Sequence, residues 1–144
     1  MNSFDMIFDQ IHVPMAIGID IKNISHPLQG LISNAHIIDG TLHATVNGST
    51  GSITTIEFEP GVVEDLKRAI TTIAPPDLNY AHEKAWQDGN GHSHVQAALL
   101  GPSMVLPIRR GQLALGTWQQ VVLINHDNKP RNRTVEVTLI GNRE

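Results

Sequence analysis

A chain of 144 residues with 40% apolar and 17% charged side chains is an ordinary globular composition, and one domain spanning 1–144 can bury a core without staples. The net charge of −4 and the scarcity of aromatic residues speak against nucleic acid as a partner, and no apolar run approaches the roughly 18 residues needed to span a membrane. The absence of cysteine excludes disulfides, thiolate nucleophiles and thiolate zinc sites, and the N-terminus has no basic stretch followed by an apolar one, so a cytoplasmic location is expected.

In chain order, 4–13 and 16–21 read as strands rich in Ile, Val and Phe, with Pro14 marking a break or an edge between them. A short helix is expected over 25–33, with Ser25 as its N-cap, Pro27 in its first turn and Gly30 weakening it. The segments 40–46 and 52–58 read as strands. The Asn47-Gly48-Ser49-Thr50-Gly51 connection has hairpin-loop chemistry and predicts that they pair antiparallel. Glu57 and Glu59 alternate with Ile56 and Phe58, which on a strand gives both carboxylates one face.

Pro60 opens a helix to about Ile73, because Val62, Leu66, Ala69, Ile70 and Ile73 share one face. A second, apolar helix is expected over 95–100, ended by Gly101 with Pro102 beyond. Strands follow at 104–108, 111–115, 119–125 and 134–140, joined by Arg-Arg-Gly and Asp-Asn-Lys-Pro turns. Strands late and helices mid-chain predict an α+β fold of mostly antiparallel strands. Basic residues also gather late: Arg109, Arg110, Lys129, Arg131, Arg133 and Arg143 could attract phosphate locally, although a solvated surface is the commoner role for each.

The densest chemistry lies between His82 and His94. Three of the eight histidines, Asp88, Asn90 and two glycines fall within this segment. Alternate residues of an extended segment share a face, so His92 and His94, joined by His82 and Asp88, suit zinc or another divalent ion. Inside a helix the same two histidines would stand about 200° apart and could not share one ion. The Asp88-Gly89-Asn90-Gly91 turn leading into a helix N-terminus equally suits phosphate, with His92 or His94 donating to it. A purely structural role for each histidine is the third possibility. Trp86 is expected as a core or interface anchor. Thr117, Trp118 and Gln119 precede an apolar run and could line a pocket at a strand end.

The stretches from Gly48 to Gly61, Trp86 to His94, Ala97 to Ser103 and Leu115 to Gln120, in that order, make the chain resemble the YjbQ-like family of small bacterial and archaeal proteins. The resemblance runs from about Gly40 to Gly141. It implies an α+β fold with a β-sandwich-like core and two or three helices, assembled as a homotrimer with sites near subunit contacts. It also implies a secondary thiamine-phosphate synthase activity, joining hydroxymethylpyrimidine diphosphate to thiazole phosphate with loss of pyrophosphate.

Many members carry His where this chain has Gly48, which removes one possible donor from that loop. On this reading His82, Asp88, His92 and His94 with Asn90 bind a divalent metal (Mg or Zn; His82, His92 and His94 as ligands) or phosphate. Glu57 is the acid/base or supporting group, and Thr117, Trp118 and Gln119 form a pocket wall. The candidate catalytic residues are therefore His82, Glu57, Asp88 and His92, and the substrate a small phosphorylated metabolite. The alternative is a non-catalytic trimeric protein that binds a metal or a phosphorylated metabolite.

Overall fold

In the computed structural model, which describes residues 3–143, the apolar run of Val121, Val122, Leu123 and Ile124 is fully buried on both sides. The reason is the layering. The elements run β1 (Asp5–Met15), β2 (Asp20–Asn23), α1 (Ser25–Ala35), β3 (Ile37–Val46), β4 (Gly51–Glu57) and α2 (Pro60–Ile73). Then follow α3 (His82–Ala85), α4 (Gly91–Leu100), β5 (Ser103–Arg109), β6 (Gln112–Leu113), β7 (Gln119–Asn125) and β8 (Arg131–Arg143).

The strands form a five-stranded sheet in the order β1-β8-β3-β5-β6 and a three-stranded sheet in the order β2-β7-β4. Every described pairing is antiparallel, so the fold is α+β as expected. Period-two alternation sends Ile53, Val121 and Leu123 of the small sheet into one core with Leu42, Ala44, Leu106, Ile108, Val135, Val137 and Leu139 of the large one. Their neighbours Ile21, Val122 and Ile124 face the other way, onto Val63 and Leu66 of α2 and Leu100 of α4. A strand buried on both faces loses the polar alternation of a half-exposed one, which is why β7 reads as a continuous apolar run. Leu28, Ile32 and Ala35 of α1 belong to the inter-sheet core.

Several expectations change. The segments 40–46 and 52–58 are not a hairpin: β3 lies in the large sheet between β8 and β5, and β4 in the small sheet beside β7. The 47–50 loop therefore passes from one sheet to the other, and its turn-forming residues serve that crossing. Pro14 does not interrupt β1. It lies opposite Asn132 on the edge strand of the large sheet, where a missing amide hydrogen leaves no gap in an interior ladder.

The strand expected over 16–21 is instead a connection, with β2 starting at Asp20. There Gly18 donates its amide to Asp127 O at 2.8 Å, and a Cβ on it would lie 2.6 Å from Asn125 O, so only glycine passes this close to the end of β7. Glu57 and Glu59 do not share a strand face, because β4 ends at Glu57. Glu59 is the N-cap of α2, accepting from Gly61 N at 2.7 Å and Val62 N at 2.9 Å. Trp86 is 74% exposed and so is no part of the core.

Candidate functional site

Helix α4 begins at Gly91, and that start separates the two histidines of the cluster. With both inside the helix they point in opposed directions. His94 lines a cleft of about 400 Å³ with Asp88, Asn90, the 47–50 loop, Asp127 and the first residues of β8. His92 lines a separate cavity of about 220 Å³ with Gln96, His126, Lys67 and Gly18. Burial lowers the His92 pKa, against the opposing charges of Glu83 and Asp127.

His82, on α3, sits close to Asp88 (Nε2 to Oδ1, 3.1 Å), with its ring centroid 4.7 Å from that of His94. The set His82, His92 and His94 is thus split. The ligand atoms that lie within 4.8 Å of one another belong to His82, Glu83 and Asp88.

Asn90 occupies the N-cap position of α4 but does not cap it, since its side chain is engaged across the cleft. Its Nδ2 donates to Asp127 Oδ1 at 3.0 Å, and its Oδ1 accepts from Ser93 Oγ at 2.5 Å and Asn128 N at 3.1 Å. The orphan amides near the helix start are met from α3 instead. Glu83 accepts from Gly89 N at 2.7 Å and Gly91 N at 3.0 Å.

Asp127 forms the other wall. It accepts from Thr50 Oγ1 at 2.9 Å, Arg131 Nε at 3.0 Å and Lys129 N at 3.1 Å besides Asn90. Burial pushes its carboxyl up, but the hydrogen bonds from Asn90, Thr50 and Arg131 and the charge of Arg131 outweigh this and hold it below the usual carboxylate range.

Arg133 is only 6% exposed, yet its Nη2 bonds neutral oxygens, Thr50 Oγ1 and Asn125 Oδ1, both at 2.6 Å. No carboxylate pairs with it among the described residues. Its Nη1 has no hydrogen-bond partner there either, and lies 2.7 Å from where a Cβ on Gly48 would be. Gly48 has φ +107°, so glycine both permits the turn and leaves room for the guanidinium at the cleft. Desolvation lowers the Arg133 pKa and Asp127 opposes the effect.

Beside it His126 is 1% exposed with both ring nitrogens bonded. Gln96 Nε2 donates to Ala74 O, so Gln96 Oε1 accepts from His126 Nδ1 at 3.0 Å, leaving Nε2 to accept from Ser52 Oγ at 2.8 Å. Burial, with the charge of Arg133, lowers its pKa to about 4.

The remaining expected site residues lie elsewhere. Glu57 is at the far end of β4 from Gly51, roughly 20 Å along the strand at about 3.3 Å per residue. There it lines a second cleft with Phe58, Thr117 and Trp118. Gln119 holds its own turn, accepting from Gly116 N and donating to Thr55 Oγ1, each at 3.0 Å.

The family model described as UPF0047 protein YjbQ-like matches residues 9–142. The chain belongs to the YjbQ-like UPF0047 family. A UPF0047 protein of Methanothermobacter thermautotrophicus is 31% identical over 123 residues, covering 85% of this chain and 84% of its own length. The UPF0047 protein YjbQ of Escherichia coli O157:H7 is 33% identical over 103 residues, 71% of this chain and 74% of its own. The crystal structure of a YbjQ-like protein of unknown function from Sulfolobus solfataricus P2 superposes with a TM-score of 0.91 at 29% identity, covering 96% of this chain and 99% of that one.

Within this YjbQ-like chain, reasoning from sequence passed over Thr50, Ser52, Asn125, His126, Asp127 and the burial of Arg133. The signal available was Arg131 and Arg133 at alternate positions of a strand, just after Asp127 and a turn.

Proposed function

We propose that the chain binds the phosphate end of a small phosphorylated metabolite in the cleft between the 47–50 loop, the 88–94 segment and the start of β8. The observation that carries this is Arg133: a buried guanidinium with no carboxylate bonded to it directly is costly, Asp127 reaching it only through Thr50, and a phosphate oxygen at its free Nη1 would supply a direct counter-charge. His94, Arg131 and the backbone of 47–50 line the same cleft and supply further donors.

A divalent ion would be held by His82, Asp88 and Glu83, whose ligand atoms are already grouped and whose carboxylates retain accepting capacity beyond the bonds Glu83 makes. Such an ion would neutralise phosphate charge. The reaction class is pyrophosphate displacement of the thiamine-phosphate synthase type, in which the leaving group needs this neutralisation. A non-catalytic binding protein is the second reading, favoured by the engagement of Asp127 in hydrogen bonds that leave it no free role as a base.

The test is calorimetric titration with inorganic pyrophosphate, with and without Mg²⁺, beside complementation of a thiamine-requiring strain. Arg133→Gln and His94→Ala are expected to weaken pyrophosphate binding by roughly 10- to 100-fold, the loss of a charged hydrogen bond, while His92→Ala leaves it intact. Unchanged binding in Arg133→Gln would sink the phosphate reading. Wild-type complementation by Arg133→Gln and His94→Ala would sink the synthase assignment alone.

We also propose the homotrimer. It is supported by the outer face of the large sheet, where Met6, Phe8 and Val105 are 59%, 74% and 57% exposed on a surface that no other element covers.

A further inference from the structure

The second cleft, about 530 Å³, lacks the basic side chains of the first and has aromatic ones instead. Its lining is Glu57, Phe58, Glu59, Pro60, Thr117, Trp118, Asn23 and Gln120, with two carboxylates, two aromatic rings and no basic side chain. Glu59 is occupied as the cap of α2, but the Glu57 carboxylate has no hydrogen-bond or ion-pair partner among the described residues.

Trp118 is 73% exposed and Phe58 43%. The exposure is built in. Gln119 clasps the turn that carries Trp118: its Oε1 accepts from Gly116 N, its backbone amide donates to Gly116 O at 3.1 Å, and its Nε2 donates to Thr55 Oγ1. An exposed indole on a clasped turn, lining one cleft with an unpaired carboxylate, disfavours phosphate and attracts a cation with a polarisable or apolar body, by cation–π attraction on the ring and charge pairing at the carboxylate. Gln120 Oε1 accepts from Asn23 Nδ2 at 3.3 Å, which leaves the Gln120 amide hydrogens free to orient a polar substituent.

From this we infer that the cleft formed by Trp118, Phe58 and Glu57 is a binding site for a small aromatic or quaternary ammonium cation, separate from the phosphate cleft and at the other end of β4. The inference stands whether or not the first cleft binds phosphate.

The experiment uses the full chain with Trp86→Phe, so that Trp118 is the one fluorophore of its kind, and three probes that share a phenyl ring: benzyltrimethylammonium, benzyl alcohol and benzoate. Benzyltrimethylammonium is expected to quench Trp118 saturably, and the other two are not. Glu57→Gln, at an exposed position that leaves the fold intact, is expected to weaken the cation roughly five-fold, and Trp118→Leu to weaken it by a similar factor when binding is followed by calorimetry. Arg133→Gln is expected to leave cation binding unchanged, which separates this site from the first. Equal binding of the three probes, no saturable quenching, or an unaltered affinity in Glu57→Gln would each overturn the proposal.

Discussion

His126 illustrates how far burial moves a single side chain. Its pKa of about 4 in the folded protein, against about 6.5 when unfolded, means that between these pH values the unfolded chain binds the extra proton. Stability is therefore highest above pH 6.5 and falls as the pH drops towards 4, by about 3 kcal/mol in all. Urea unfolding midpoints measured from pH 7.5 to 4 should show this slope, and His126→Gln should flatten most of it. A flat profile in the parent protein would mean that the imidazole stays solvated.

The same residue scale explains what sequence reading reached. The crowding of His82, Asp88, Asn90 and His94 was legible because such a density of polar groups has no packing purpose, and these four do meet at one cleft or its rim. The burial of Arg133 was not. An arginine on a strand is usually solvated, and this one is buried because period two aligns it with Val135, Val137 and Leu139 on the inward face of β8.

At the scale of elements, the site depends on a four-residue helix that no periodicity announces. Helix α3 places Glu83 over the start of α4, where it replaces the cap that Asn90 does not provide. Glu83→Gln should reduce stability by about 1 kcal/mol, within the range for a lost N-terminal cap. It should also raise amide hydrogen exchange at Gly89 and Gly91 while protection in β7 and β8 is kept. Exchange unchanged at those two amides would show that Glu83 is dispensable there. Helix α2 was legible throughout, from Pro60 to Ile73, since its apolar stripe and its starting proline act locally. The start of α4 was not, because it is fixed by contacts with α3 and with the 125–128 segment rather than by residues of its own turn.

At the scale of the whole molecule, the small sheet is shared between two cores, one against the large sheet and one against α2 and α4, while the large sheet keeps one face uncovered. If that face is a subunit contact, sedimentation equilibrium should give three times the 15.8 kDa chain mass, and Phe8→Asp should shift it towards the monomer. A monomeric parent protein would refute the proposed assembly.

The sequence by itself determined the α+β class, α2, β7 and the polar segment around Asp88, because hydrophobic period, caps and turn residues act over a few neighbours. Only the tertiary structure decided that β3 and β4 part into different sheets, that His92 and His94 serve separate cavities, and that Glu57 and Trp118 stand apart from the histidines. Each of these follows from strand order and helix phase, which are set by pairings between segments distant in sequence and leave no trace in local pattern.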